Sequence, residues 1–167
     1  MGGSSIKCAL VDLSAGVFAG ERFSTPTPAQ DSTETLLTAL ETVVSNVPGD
    51  HAVGLAFPSV IRGGTVRTAA NLNKAWIGKS LAALAGERLG RPVVAINDAD
   101  AAGLAELRYG AARDVPGTVL LLTLGTGIGS ACSSTASWCR IPNSAIFRSQ
   151  GAKRNCGRRA APRWTST

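Results

Sequence analysis

Apolar positions along the chain fall into short blocks that switch between a period of two and a helical period. Ile6 to Leu13 reads as a strand, Ser14-Ala15-Gly16 as a turn, and Val17 to Phe23 as the hairpin partner. Thr25 to Gln30 carries prolines and reads as a linker. Asp31 and Glu34 have the spacing of a capping box, and Leu36, Leu37, Leu40, Val43 and Val44 then recur on one helical face. Asn46 and Pro48-Gly49 close that helix. Ala52 to Phe57 is a short buried strand, and Arg62 to Arg67 a hairpin with Gly63-Gly64 at its tip. Ser80 caps a helix that runs through Leu89 and stops at Gly90-Arg91-Pro92. The alternation of strand and helix predicts an α/β sheet with crossover helices.

The most informative stretch runs from residue 92 to residue 131. An apolar run, Val93 to Ile96, ends at Asn97-Asp98, and an alanine-rich helical segment follows as far as Tyr109-Gly110. A second apolar run, Thr118 to Leu124, delivers Gly125-Thr126-Gly127-Ile128-Gly129. One carboxylate at the end of a strand and one glycine-rich turn after the next strand suit phosphoryl transfer to a hydroxyl. The carboxylate takes the hydroxyl proton, and backbone amides hold phosphate. Each feature also has a plainer reading. The G-x-G-x-G spacing is not the G-x-G-x-x-G of a dinucleotide site, and Cys132-Ser133-Ser134-Thr135 does not open a helix, so the turn reads equally as a glycine-rich β-turn. Asp98 reads equally as the N-cap of the following helix, and cap and base can coexist.

Three segments together resemble the ROK sugar kinases. AINDADAAGLAE resembles the signature of that family, LTLGTGIGSA its second phosphate loop, and TAANLNKAWIG, residues 68–78, its sugar-binding segment. The wording is closest to the polyphosphate-using glucokinases within the family, and the resemblance covers roughly residues 2–131. It implies an actin-like (ribonuclease H-like) α/β fold of two domains with a cleft between them. It also implies transfer of a phosphoryl group from polyphosphate or ATP to glucose, with Mg2+ as the ion; an ATP-dependent glucokinase or fructokinase is the neighbouring alternative. Asp98 would be the general base and a glucose ligand, and Asn71 and Asn97 would bind sugar hydroxyls. Gly125, Thr126 and Gly127 would hold donor phosphate, as would Gly2, Gly3 and Ser4 in a first phosphate loop. No protein metal ligand is assigned. Without the resemblance, Asn71 reads as an asparagine in a turn, and Trp76 reads as packing in either case. The family has glycine where Ser59 stands, so a backbone of positive φ there would crowd the sugar.

In the family the strand before the first loop ends in Asp-Val. Met1 stands at the valine, and GTG encodes valine within a gene and methionine at a start. A start inside the loop is expected, with the first strand and its Asp missing, a sheet edge exposed and stability marginal. The domains expected are 1–115, an N-terminal α/β kinase domain without its first strand; 116–131, the opening of a C-terminal domain with its phosphate loop; and 132–167, a basic tail.

Composition divides the chain at the same place. The 167 residues carry a formal charge of +6, yet residues 1–131 hold 10 Lys/Arg against 11 Asp/Glu, and residues 132–167 hold 7 Lys/Arg and no acid. The tail also holds Cys132, Cys139 and Cys156, whose spacing fits no zinc pattern. Free thiols are expected, and His51 reads as a solvated loop residue. From Cys132 neither periodicity continues. Three readings stand: a disordered solvated tail, a polyanion-binding tail on an otherwise non-catalytic fragment, or a frameshift. Reading the tail one base back permits the family's short hairpin and then Pro-Asn, a small residue and Glu-Phe-Gly-His-Leu, which favours the frameshift. The fragment as written is then expected to be weakly active or inactive. No segment is apolar for long enough to span a bilayer, and the N-terminus lacks the pattern of a secretory signal. A cytoplasmic protein with no specific nucleic-acid partner is expected, and the family implies homodimers for its full-length members.

Overall fold

The computed structural model describes residues 4–28, 32–69, 72–124, 128–134 and 137–139. A hairpin opens the fold: β1 (Ser5–Asp12) pairs antiparallel with β2 (Val17–Pro26). Its turn is built by Asp12, whose Oδ1 accepts from the Ser14 hydroxyl at 2.6 Å, the Ser14 amide at 2.8 Å and the Ala15 amide at 3.3 Å. β2 runs to Pro26, opposite Ser5, three residues beyond the predicted end. A proline is tolerated at a strand end, where no ladder donor is needed.

Helix α1 (Thr33–Val44) follows, with Ser32 as its cap accepting from the Thr35 amide. The predicted pairing of Asp31 with Glu34 is therefore displaced by one residue, and Asp31 itself lies outside the described residues. Leu36, Leu37, Leu40, Val43 and Val44 are all buried, as their spacing requires. β3 (Val53–Phe57) then pairs in parallel with β6 (Val93–Asn97). Between them lie the hairpin of β4 (Ile61–Arg62) and β5 (Thr65–Val66), a 3-10 turn at Lys74–Trp76, and α2 (Leu81–Leu89) capped by Ser80. Gly63 and Gly64 at the hairpin tip have φ of 55° and 73°, the two positive values a tight primed turn demands. Arg88 on α2 pairs with Glu34 and Glu41 on α1 and fastens the two helices at the surface.

α3 (Asp98–Tyr109) follows β6 directly, and Tyr109 donates its hydroxyl to the Leu13 carbonyl at 2.5 Å, docking the tip of the first hairpin. β7 (Thr118–Leu124), β8 (Ile128–Ser134) and β9 (Ser137–Cys139) form an antiparallel sheet in that order. β8 runs across residue 131, with Cys132 and Ser133 buried, and β9 follows. The break in composition therefore falls inside a strand. The ladder with β7, not side-chain periodicity, carries the chain through it. Residues 140–167 lie outside the described residues.

One core joins these pieces. Ile6 of β1, the α1 stripe, Leu55 and Phe57 of β3, Val66, Trp76, Leu81, Ala85 and Ala95 form a single buried cluster. Yet β1–β2 and β3–β6 are separate two-stranded sheets, and no strand pairs with the second edge of β1 or of β3 among the described residues. Packing through α1, rather than a continuous ladder, unites them. Within that core the Phe57 and Trp76 rings meet edge to face, 5.5 Å between centroids.

Two outcomes follow. Phe57→Ala removes a fully buried ring and should cost about 3–5 kcal/mol in urea unfolding followed by tryptophan fluorescence; a loss below about 1 kcal/mol would contradict this account of the core. The Ser14 hydroxyl first, then the Ser14 and Ala15 amides, hold the exposed Asp12 carboxyl below its ordinary value. A depressed folded value means that its contribution is complete above the unfolded carboxylate range and is lost as pH falls through the folded value. NMR should show the Ser14 and Ala15 amides losing protection on acidification below about pH 4, and Asp12→Asn, which keeps an acceptor but does not titrate, should abolish that dependence.

Candidate functional site

β3 and β6 are parallel and in register, with Phe57 opposite Asn97, so both strands end at one level. Crevices beyond the carboxyl ends of parallel strands are where α/β sheets bind ligands. The turn after β3 is Pro58-Ser59-Val60; β6 passes straight into α3. Asn97 keeps an extended backbone (φ −63°, ψ 147°), and its Oδ1 accepts from the amides of Ala99 at 2.9 Å and Asp100 at 3.1 Å. The helix cap is therefore Asn97, not Asp98 as the capping alternative had it. Asp98 already has its place in the first helical turn, so the residue before it is the one left free to cap.

Asn97 is 4 % exposed, and its Nδ2 donates to the Ser59 carbonyl at 3.0 Å and to Asp98 Oδ1 at 3.1 Å. Asp98 Oδ1 also accepts from the Ala99 amide at 2.9 Å. The Asp98 carboxylate is thus pinned by one oxygen while its residue stays exposed, and Oδ2 has no protein partner among the described residues. A carboxylate fixed on one side and open on the other can accept a proton from a hydroxyl brought to it.

The β7–β8 hairpin is brought to the same place. Gly129, just after the loop, lies against the first turn of α3. A Cβ built on it would stand 3.1 Å from Ala99 Cβ and 2.4 Å from Thr123 Oγ1. Glycine is needed there because helix and hairpin approach so closely, and Ala99 is the neighbour of Asp98. Two features separated by some thirty residues therefore meet across one small contact. A cleft of about 240 Å³ between α3 and the β7–β8 hairpin, lined by Leu107, Val119, Leu121 and Ala131 among others, is apolar and lies toward the far end of α3. It holds none of the polar groups described above.

Of the residues expected from sequence, Asn97 and Asp98 sit together. Ser4 is exposed at the start of β1, where its carbonyl accepts from the Thr27 amide at 3.1 Å. Gly2, Gly3, Asn71, Gly125, Thr126 and Gly127 lie outside the described residues. Ser59 corrects one expectation: among the described residues Asp114 is the one non-glycine with positive φ, so Ser59 has no backbone strain. Its side chain is buried and hydrogen-bonds the Thr68 carbonyl. Sequence reasoning missed this contact and the Gly129–Ala99 approach, since both partners are remote in the chain. Among the described residues no three His, Cys, Asp or Glu side chains could jointly hold a metal ion, and no helix is long and apolar enough to cross a membrane.

The ROK family model matches residues 1–138, and the chain belongs to the ROK family. A polyphosphate glucokinase of Mycobacterium tuberculosis is 41% identical over 162 residues, spanning 96% of this chain and 60% of that protein. A glucokinase of Streptomyces coelicolor is 30% identical over 134 residues, 77% of this chain and 40% of its own length. Among solved structures, the inorganic polyphosphate/ATP-glucomannokinase of Arthrobacter sp. strain KM superposes with a TM-score of 0.81 at 46% identity, covering 86% of this chain and 59% of that one. A ROK glucokinase of Streptomyces griseus, solved with glucose and AMPPNP, gives a TM-score of 0.77 at 28% identity, over 90% of this chain and 49% of that one. The fold is that of the actin-like sugar kinases, in part: the chain spans about 60% of the length of the M. tuberculosis relative.

The Gly129–Ala99 contact makes a direct claim. Gly129→Ala must turn the Thr123 hydroxyl and push Ala99 by a few tenths of an ångström, and should cost about 1–3 kcal/mol in chemical denaturation, with shifts at Ala99 in the NMR spectrum. An unperturbed Ala99 resonance would show that helix and hairpin are not in contact.

Proposed function

We propose that this chain forms the base-bearing, sugar-binding part of a kinase that transfers phosphate from polyphosphate or ATP to a glucose hydroxyl. The observation that carries the reading is the meeting of the first turn of α3 with β8 at Gly129, beside an exposed Asp98 whose Oδ2 has no protein partner among the described residues. The kinship with polyphosphate-using relatives supports the donor and the sugar.

In this reading glucose lies over the ends of β3 and β6, with Asn71 and Asp98 on its hydroxyls. Asn97 does its work from below, where its amide is taken up by the helix cap, Ser59 and Asp98. As the hydroxyl oxygen attacks the terminal phosphorus, its proton passes to Asp98 Oδ2 and the bond to the remaining phosphate chain breaks. Gly125, Thr126 and Gly127, with Gly2, Gly3 and Ser4, hold donor phosphates through backbone amides. Such transfer needs chiefly alignment and charge neutralisation. Mg2+ would be held chiefly by the donor phosphates, no ligand for it being assigned in this chain, and would supply neutralisation of their charge. A cytoplasmic setting suits these substrates, and the homodimer of full-length family members belongs to the completed protein.

The test is formation of glucose 6-phosphate from polyphosphate or ATP. It is run on the 167-residue chain and on a chimera completed with the portions of the M. tuberculosis relative that the chain does not span. The chain alone should turn over little or not at all. The chimera should be active, and Asp98→Asn should lower its kcat by about 10²–10⁴-fold with less effect on the KM for glucose. Unchanged turnover in the Asp98→Asn chimera would refute the role given to Asp98.

A further inference from the structure

Ser59 is buried beside Asn97 and hydrogen-bonds in two directions. Its carbonyl accepts from Asn97 Nδ2 at 3.0 Å, and its hydroxyl donates to the Thr68 carbonyl. The Thr68 hydroxyl in turn accepts from the Val60 amide at 3.2 Å, and Arg67 donates its amide to the Val60 carbonyl at 2.8 Å. Ser59 and Asn97 are 5 % and 4 % exposed, so these bonds are made away from water. A path of hydrogen bonds therefore runs from Thr68, three residues before Asn71, through Ser59 and Asn97 to the pinned oxygen of Asp98. Every link is polar, and the two central side chains are buried. A buried group that loses such a partner carries the full cost of its desolvation, so the path holds one geometry.

Alternatives for this side chain are weaker. As mere filler, Ser59 could face the apolar cluster, yet its hydroxyl crosses between two chain segments that no β-ladder joins at this point. As a direct sugar ligand it would need exposure that it lacks.

We propose that Ser59 is the positioning residue of the site: it ties the exit of the β4–β5 hairpin to the Asn97 cap, and so sets the Asp98 carboxylate relative to the segment that leads to Asn71. That Asp98 serves a sugar hydroxyl rests on the reading above; the positioning itself does not. The consequence is that a change at Ser59 is felt at the first turn of α3, whose amides have no contact with the Ser59 side chain.

Amide hydrogen exchange of the 167-residue chain, followed by NMR, tests this. In Ser59→Ala, exchange at Ala99 and Asp100, the two amides held by Asn97 Oδ1, should quicken by about tenfold relative to wild type, the scale of one buried hydrogen bond. Leu40 in α1 should keep its protection, and Ser59→Thr, which retains the hydroxyl, should return both amides toward wild type. Unchanged exchange at Ala99 and Asp100, or equal acceleration there and at Leu40, overturns the proposal. Should Ser59→Ala fail to fold, Ser59→Cys, close in size but a weak donor, reads the same amides, with a smaller acceleration confined to them expected and none overturning it. Glucose is then titrated into wild type. Added protection at residues 97–100, weakened in the Ser59 variant, supports both readings. If glucose leaves wild type unchanged, the sugar reading fails while the exchange contrast still decides the positioning role.

Discussion

Asn97 presents its amide in two directions at once, and much of the site depends on that. Its oxygen closes the open amides at the start of α3; its nitrogen reaches the Ser59 carbonyl and the Asp98 carboxylate. An aspartate here could cap but could not donate. A serine could cap but would be too short to reach the turn after β3. Asparagine alone among the good caps offers both a strong acceptor and two donors at this reach. Because the residue is almost wholly buried, neither end can exchange its partner for water at low cost. The end of one strand, the turn after its neighbour and the first turn of a helix thereby share a single side chain.

The parallel pairing of β3 with β6 supplies the frame in which this works. Phe57 and Asn97 are level, so whatever follows each strand emerges on the same edge. Phe57 itself is fully buried and packs edge to face on the equally buried Trp76. Trp76 is packing, as read from sequence, although its indole Nε1 is buried without a hydrogen-bond partner among the described residues. Aromatic packing and the polar bracket at Asn97 thus meet at the ends of the same two strands.

Local signals in the sequence revealed the elements. The α1 stripe, the Gly63-Gly64 turn, the Ser80 cap and the strands that end at Asn97 and Leu124 were each legible from neighbouring residues. Long-range information was not. Ser59 was read through what the family carries at its position, and so through a backbone strain that is absent; its partners at Thr68 and Asn97 lie 9 and 38 residues away. Gly129 was part of the glycine motif, yet that Ala99 would be the atom against it could not be seen without the fold. Composition does not mark the end of a strand at residue 131: the charge changes there, and a strand in register with β7 continues through Cys132 and Ser133. Backbone pairing tolerates sequences that side-chain periodicity does not announce.

The separation of β1–β2 from β3–β6 bears on how the chain reaches this state. The first hairpin joins residues close in sequence and closes a short loop, an event of microseconds. β3 and β6 are forty residues apart in register, with two hairpin strands and a helix between them, so their pairing must wait on a larger loss of chain entropy. With no ladder passing from one sheet to the other among the described residues, the early hairpin does not template the later pair edge to edge. What joins them is the buried cluster to which the apolar face of α1 contributes most. That helix is thus a joint between the early hairpin and the later pair as well as a cover for the core.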